Sequence, residues 1–406
     1  MTAAFKNPFR PGAGHMPPHL AGRENAIAEI TKYLDQEVIL TNVVLTGLRG
    51  VGKTVLLETV KPLALGRSWY WVGTDLSESA SISEENLCTR LLADLAVITS
   101  SFKIDRAEPG GIGFLASTHG PPGPMDFQAL RRIFSETPGL IADKLKQTLE
   151  LVWSRAHACS KSKGVVFAYD EAQNLSDHAA KDQYPLSMLL DVFQSLQKKG
   201  LPYLLVLTGL PTLFPKLVEA RTYAERMFHV VSIDRLSDDA SREAITKPTH
   251  GVEGCPQFTK DSVNTIVRES AGYPYFIQFI CREVFDQMAL QGKVHGRYHA
   301  SVTAVVTKLD ADFFAGRWAR VTDRQRDLLT IVASLPNADG EFAVQDIVAM
   351  SRDSDRPFSA SHVNQMLASL TAAGLIFKNR HGRYAFAVPL MANFIRRQPR
   401  ESEGVA

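Results

Sequence analysis

Gly47-Leu48-Arg49-Gly50-Val51-Gly52-Lys53-Thr54 reads G-x-x-x-x-G-K-T, the spacing of a phosphate-binding loop. The run Val43-Val44-Leu45-Thr46 before it is short, apolar and β-branched enough for a buried strand, and Val55-Leu56-Leu57-Glu58-Thr59-Val60 after it suits a helix. Strand, loop and helix are the context such a loop requires. The glycines let the backbone fold tightly, so that successive N–H groups and the helix N-terminus face phosphate oxygens. Lys53 is then placed to reach the β- and γ-phosphates of a nucleoside triphosphate, and the Thr54 hydroxyl to ligate Mg²⁺. Gly47, Arg49, Gly50, Val51, Gly52, Lys53, Thr54 and Val55 form the candidate nucleotide cradle. The competing reading is a glycine-rich turn capping an ordinary helix.

A second stretch answers the first. Val165-Val166-Phe167-Ala168-Tyr169-Asp170-Glu171 is an apolar strand ending in two carboxylates. In open α/β sheets ligands bind beyond the C-terminal ends of the strands, which is where these carboxylates fall. Asp170 is placed to hold Mg²⁺ through water and Glu171 to act as general base toward an attacking water. An apolar strand ending in Asp-Glu is common by itself; paired with a phosphate loop upstream, it reads as the hydrolytic half of the same site.

The chain has 406 residues, enough for two or three domains with cores of their own. Forty-five Lys and Arg against 43 Asp and Glu leave a formal charge of +2, so any nucleic-acid contact must be local. Cys88, Cys159, Cys255 and Cys281 show no C-x-x-C spacing, which argues against a zinc site or a disulfide framework. No apolar stretch reaches the length of a membrane span, and Met1 to His15 lacks the apolar centre of a signal peptide. The expectation is a soluble, cytoplasmic protein with reduced thiols and no membrane partner.

Strands are also predicted at Trp69-Tyr70-Trp71-Val72, at Leu204 to Thr208 before the turn Gly209-Leu210-Pro211, and at Val230-Val231-Ser232-Ile233. Helical periodicity covers Glu24 to Leu34, Ser83 to Ala96 and Leu140 to Ala158. Strands alternating with helices predict a mostly parallel α/β sheet. Residues 100–126, with Pro109-Gly110-Gly111 and Gly120-Pro121-Pro122-Gly123-Pro124, are too rich in Gly and Pro for a regular element and read as an insertion loop. Past the hinge Pro248 to Pro256 the pattern becomes wholly helical, over Lys260 to Ser270, Tyr275 to Leu290 and Ala300 to Phe314.

Leu20-Ala21-Gly22-Arg23-Glu24 upstream of the phosphate loop, with the motifs above, resembles the AAA+ P-loop ATPases of the Orc1-like and archaeal-ATPase (STAND-like) type. The resemblance extends over nearly the whole chain. It implies ATP as the nucleotide with Mg²⁺, the strand order 5-1-4-3-2, and binding of nucleotide between sheet domain and helical lid. By it Leu20, Gly22 and Arg23 pack around the base, and Thr208 is the polar sensor at a strand end. Arg226, preferred to Arg221, is the arginine finger supplied across a subunit interface, which implies a nucleotide-dependent homo-oligomer. Tyr273 and Pro274, in Ala271-Gly272-Tyr273-Pro274-Tyr275, are the lid's nucleotide contacts, but Phe276-Ile277-Gln278 stands where many members carry a second sensor arginine.

From Thr322 the pattern reads as three helices, Thr322 to Ser334, Val344 to Met350 and Ser359 to Ala373, and a hairpin through Gly374-Leu375-Ile376-Phe377 and Tyr384-Ala385-Phe386. That is winged-helix topology, yet Ser359 to Ala373 contains no Lys or Arg for phosphate contacts. The cations are Lys378, Arg380 and Arg383 on the hairpin and Arg396, Arg397 and Arg400 in the tail. DNA binding by these residues, a protein-contact role and a purely packing role all stay open. The predicted architecture is an N-terminal extended segment (1–20), an AAA+ core (21–247), an all-α lid (248–318), a winged-helix domain (319–397) and a tail (398–406). The predicted function is ATP-driven switching of a module acting on DNA or a protein partner. The alternatives are a STAND-like signalling scaffold with little turnover, and an accessory ATPase of transposition or secretion.

Overall fold

The computed structural model describes residues 6–102, 124–252, 254–291, 301–354, 356–380 and 382–398. The Gly/Pro-rich middle of the predicted insertion, the last residues of the predicted tail and Arg400 lie outside the described residues. Two compact bodies divide the chain. One comprises Glu24–Gly47 and Lys53–Ser232, the other the described parts of Met1–Arg23, Leu48–Gly52 and Ile233–Ala406.

The first body is built on five parallel strands: β1 (Asn42–Thr46), β2 (Trp69–Val72), β3 (Gly164–Tyr169), β4 (Tyr203–Gly209) and β5 (Phe228–Ser232). Their order is β2-β3-β4-β1-β5, the predicted order read from the other edge. Every residue of β1, β3 and β4 is buried. A parallel sheet is covered on both faces, which is why these strands are continuous apolar runs with no alternation. Asn42 is a polar exception, with 0 % exposure. Its amide pairs with that of Gln197 at 2.8 and 3.1 Å and accepts the Leu205 N–H at 2.8 Å, so its polar atoms are satisfied.

Four described α-helices of this body were not anticipated, among them the short Leu213–Ala220 and Ala224–Met227 and two longer ones. Phe127–Glu136 starts at Asp126, whose carboxylate accepts from the Ala129 N–H at 2.9 Å, and Pro185–Lys198 starts with proline at its first helical position. An Asp cap and an N-terminal proline were the available signs. The predicted insertion is closed at its base, where Met125 N–H donates to Phe102 O at 3.2 Å and the Thr99 hydroxyl to Met125 O at 2.6 Å.

In the second body the helices Asp238–Thr246, Lys260–Ser270, Pro274–Gln291 and Val302–Leu309 enclose one core with the N-terminal segment. Phe9 is its anchor, fully buried with its ring 5.7 Å from Phe258 and 6.3 Å from Phe285. Full burial of one such side chain contributes about 1.5–3 kcal/mol. The predicted third lid helix is interrupted: a π turn at Asp310–Phe314 separates Val302–Leu309 from Ala315–Trp318.

The other core of this body holds the C-terminal helices Asp323–Ser334, Val344–Met350 and Ala360–Ala372. The first opens with a capping box between Thr322 and Gln325. A small antiparallel sheet joins them, with β6 (Phe342–Ala343), β7 (Ile376–Arg380) and β8 (Arg383–Phe386) in the order β6-β8-β7. β6 has two residues, too few for a pattern to reveal. Met391–Arg397 is a further helix, burying Met391, Phe394 and Ile395, so Arg396 and Arg397 stand on a packed element and not on a free tail. No helix among the described residues is long and apolar enough to cross a membrane.

Candidate nucleotide site

In the sheet body the phosphate loop leaves β1 at Gly47, whose N–H donates to Gly209 O at the end of β4 at 3.2 Å. Lys53 opens the helix Lys53–Leu65 and is 8 % exposed; its ammonium donates to Gly47 O at 2.9 Å. Thr54 follows it and donates its hydroxyl to Asp170 Oδ2.

Asp170, 5 % exposed, is where the elements meet. Its Oδ1 accepts from the Thr208 hydroxyl at 2.6 Å and from the Glu171 N–H at 2.8 Å. Its backbone bridges to the segment after β2, through Asp170 N–H to Thr74 O at 3.2 Å and Leu76 N–H to Asp170 O at 2.9 Å. Tyr169, wholly buried one residue earlier, donates to Asp94 at 3.0 Å, and Asp94 pairs with Arg90. The strand end carrying the carboxylates is thus fixed by polar bonds as well as by packing. Replacing Thr208 by Val removes a hydrogen bond to a charged acceptor, and we expect a loss of ~1.5–3 kcal/mol of folding stability. Denaturant unfolding of Thr208→Val checks this; an unchanged midpoint refutes it.

Two residues of this site escaped the sequence reading. Asp75 lies beside Asp170 in a parallel bridge; burial raises its carboxyl above the usual range, and the charges of Asp170 and Glu171 raise it further. Gln173 donates to the Glu171 carboxylate. Asp75 follows the end of β2 and so occupies a ligand-side position, but Asp after an aromatic strand is too common to stand out. Arg221 and Arg226 are distinguished by their surroundings. Arg221 is committed to Asp191 through two bonds of 2.9 and 2.7 Å, whereas Arg226 is exposed on the short helix Ala224–Met227.

In the second body Arg23 is 8 % exposed and donates to Val51 O at 2.9 Å and Asp234 O at 2.7 Å. Its guanidinium therefore clamps the phosphate loop to the strand-exit segment. Gly50 and Gly52 have φ of +80° and +95°, a region that other residues enter only with strain. Tyr275 N–H donates to Gly50 O at 3.2 Å, and a Cβ on Gly50 would lie 3.2 Å from that of Tyr275, so the loop and the lid turn touch through backbone. Tyr273 and Pro274 precede it at the start of Pro274–Gln291. Leu20 is half-buried and Gly22 adopts φ +62°. Arg49 Nη1 lies 3.7 Å from the Cβ position of Gly374, the residue that leads into β7. Burial, then the charge of Arg49, lowers the Arg317 guanidinium below its ordinary value. Gln278, where a sensor arginine was sought, is 7 % exposed and accepts the Arg10 N–H at 3.1 Å. It ties down the N-terminal segment.

The basic residues of the C-terminal part are mostly spent on neighbours. Arg380 pairs with Glu341 at 2.7 Å and Arg383 with Asp346 at 3.6 Å. Arg397 holds Asp310 with bonds of 2.8 and 2.5 Å, and Arg396 donates to Ala333 O at 2.7 Å. Hydrogen bonds from Arg380, then Asn379, hold the Glu341 carboxyl below its usual range. Lys378 is exposed.

Residues 19–218 match the AAA ATPase domain family, and residues 311–395 match a domain of unknown function (DUF8462). No protein of curated function matches the chain. Among solved structures it is similar to the Walker-type ATPase PABY2304 of Pyrococcus abyssi, at 17 % identity over 93 % of this chain and 96 % of that one, with a TM-score of 0.57. It is also similar to the ADP form of the ORC2 protein of Aeropyrum pernix, at 12 % identity over 95 % of this chain and 97 % of that one, with a TM-score of 0.52. At these identities the likeness is one of fold. Residues 19–218 thus resemble an AAA ATPase domain, and the chain shares the fold of these Walker-type and Orc-type ATPase structures.

Proposed function

We propose that the protein hydrolyses ATP and uses the cycle to change how its C-terminal winged-helix module meets a partner. One observation carries this reading: the Thr54 and Thr208 hydroxyls converge on Asp170, with Lys53 and Glu171 as their chain neighbours. A hydroxyl and a carboxylate are the donors a hard cation takes, so Thr54 and Asp170 suit Mg²⁺, which when bound neutralises charge on the β- and γ-phosphates. Lys53 binds the same phosphates. Glu171 accepts a proton from the attacking water as the bond between γ-phosphorus and the bridging oxygen breaks, releasing ADP and phosphate.

The second body supports the switch. Gly50 is bonded to Tyr275, and Arg49 lies beside Gly374, so nucleotide-dependent movement of Leu48–Gly52 is felt at the lid turn and at the entrance to β7. Leu20, Gly22, Arg23, Tyr273 and Pro274 are the proposed surroundings of the nucleotide in this body. The pairing of Arg380, Arg383 and Arg397 with carboxylates favours a protein partner over DNA, because phosphate contacts need uncommitted cations.

Steady-state ATP hydrolysis, measured with and without duplex DNA, tests the proposal. Turnover in the wild type supports it; tight ATP binding with no turnover in either condition leaves the nucleotide-regulated scaffold instead. The exposure of Arg226 supports a finger acting across a subunit interface. Arg226→Ala should then reduce turnover by about tenfold to a hundredfold, what a charge-assisted hydrogen bond of ~1.5–3 kcal/mol is worth, and leave ATP affinity unchanged. Turnover per chain that does not rise with protein concentration, or equal activity in the variant, ends that assignment.

A further inference from the structure

We infer that Gln173 is a positioning residue for the general base, linking Glu171 to the end of β4. The inference rests on the ATPase reading and adds a part to that site.

Glu171 has left-handed backbone, φ 52°, and opens a short turn at Ala172–Asn174. Non-glycine residues in this region carry strain and hold it only where their surroundings over-determine the conformation. Here the turn is pinned from three sides. Asn174 Nδ2 donates to Leu76 O at 2.9 Å, next to Asp75. Lys216 Nζ, from the helix Leu213–Ala220, donates to Gln173 O at 2.7 Å. The third tie is the Gln173 side chain itself, whose Nε2 donates to Glu171 Oε2 while its Oε1 accepts the Leu210 N–H at 3.1 Å.

The two ends of that amide have different jobs. Because Oε1 is engaged by a backbone donor, the NH₂ end is turned toward the carboxylate and cannot exchange places with it without losing a bond. Leu210 follows Thr208 and Gly209, and Thr208 bonds Asp170. The end of β4 therefore reaches both carboxylates, Asp170 directly through Thr208 and Glu171 through Gln173. Gly209 leaves the room this needs: a Cβ there would lie 2.5 Å from Gln173 Oε1. Orienting a base in this way acts on the chemical step and not on nucleotide affinity, and misplacement by about 1 Å can cost a hundredfold.

The test compares Gln173→Ala, Gln173→Glu, Gly209→Ala and the wild type for kcat, KM and affinity for a fluorescent ATP analogue. We expect kcat to fall about tenfold to a hundredfold in Gln173→Ala, with KM and analogue affinity within about twofold of wild type. Gln173→Glu is the discriminating variant. It keeps the length and the acceptor for Leu210 but replaces the donor by a second carboxylate, so it should lose at least as much as Gln173→Ala. Gly209→Ala, which displaces the amide from the other side, should lose part of that. In a Glu171→Gln background, measured by single turnover, Gln173→Ala should cost nothing further, because the two act through one group. Wild-type kcat in Gln173→Glu, or additive losses in the double variant, overturns the inference and leaves Gln173 as packing. Absence of turnover in the wild type is the separate result that removes the ATPase reading and this inference with it.

Discussion

Glu171→Gln should lower steady-state ATP turnover by about 10²–10⁴-fold, the range for removal of a general base, while ATP affinity stays near that of the wild type. The substitution keeps the side-chain length and leaves Asp170 with its donors from Thr54, Thr208 and the Glu171 backbone N–H. The Gly47–Thr54 loop and the proposed cation ligands are thus untouched, and what is lost is the group proposed to take a proton from water. Paired measurements decide it, phosphate release for turnover and equilibrium titration for binding. A variant that hydrolyses ATP at the wild-type rate would show that Glu171 is not the base, and Asp75 would become the next carboxylate to test.

Lys53→Ala acts one step earlier. The ammonium is 8 % exposed at the start of the helix Lys53–Leu65 and donates to Gly47 O within the loop's own turn. Truncating one member of a buried, hydrogen-bonded charge pair costs 2–5 kcal/mol, so triphosphate affinity should drop by roughly 30-fold to several thousand-fold. Circular dichroism should still report a folded chain, since the bond to Gly47 O lies within the loop's own turn. Unchanged affinity in a folded Lys53→Ala variant would mean that the loop does not hold phosphate. Together the two substitutions separate binding from chemistry: the first spares affinity and abolishes turnover, the second loses both.

Much of the sheet body could be read in advance because its chemistry is local. A phosphate loop needs particular residues at consecutive positions, and a buried parallel strand announces itself as an unbroken apolar run. Gly47 to Thr54 and Val165 to Glu171 therefore predicted their strands and the turns after them, while the order of the sheet was implied by the resemblance. The limits were those of pattern. β6 has two residues, and Phe127–Glu136 follows directly on a stretch whose glycines and prolines dominated the reading. Asp126 and Pro185 marked two helix starts, but caps identify an end only when the periodicity behind them is recognised as well.

The candidate site divides along the same line. Lys53, Thr54, Asp170 and Glu171 belong to motifs whose spacing carries their chemistry, and Thr208 was placed by resemblance before the structure brought its hydroxyl to Asp170. Gln173 and Asp75 had no role assigned to them, and their ties to the neighbouring strand ends become visible only in the folded chain. The same holds for the cations of the C-terminal part. Composition counts Arg380, Arg383, Arg396 and Arg397 as available charge, and a sequence cannot show that Glu341, Asp346 and Asp310 lie within reach to engage three of them.

By itself, then, the sequence determined the Gly47–Thr54 loop, the Asp170-Glu171 pair and the parallel sheet, since each depends on residues adjacent in the chain or repeating along one element, and it pointed to nucleotide chemistry. The tertiary structure alone decided which groups are free to act. It set Gln173 between Glu171 and the end of β4, spent Arg23 on the loop and Gln278 on the N-terminal segment, and tied Arg380, Arg383 and Arg397 to carboxylates. The physical reason is that hydrogen bonds and ion pairs act over about 3 Å in space with no regard for separation along the chain; whether a charged side chain is spent or available is a property of its neighbours once folded.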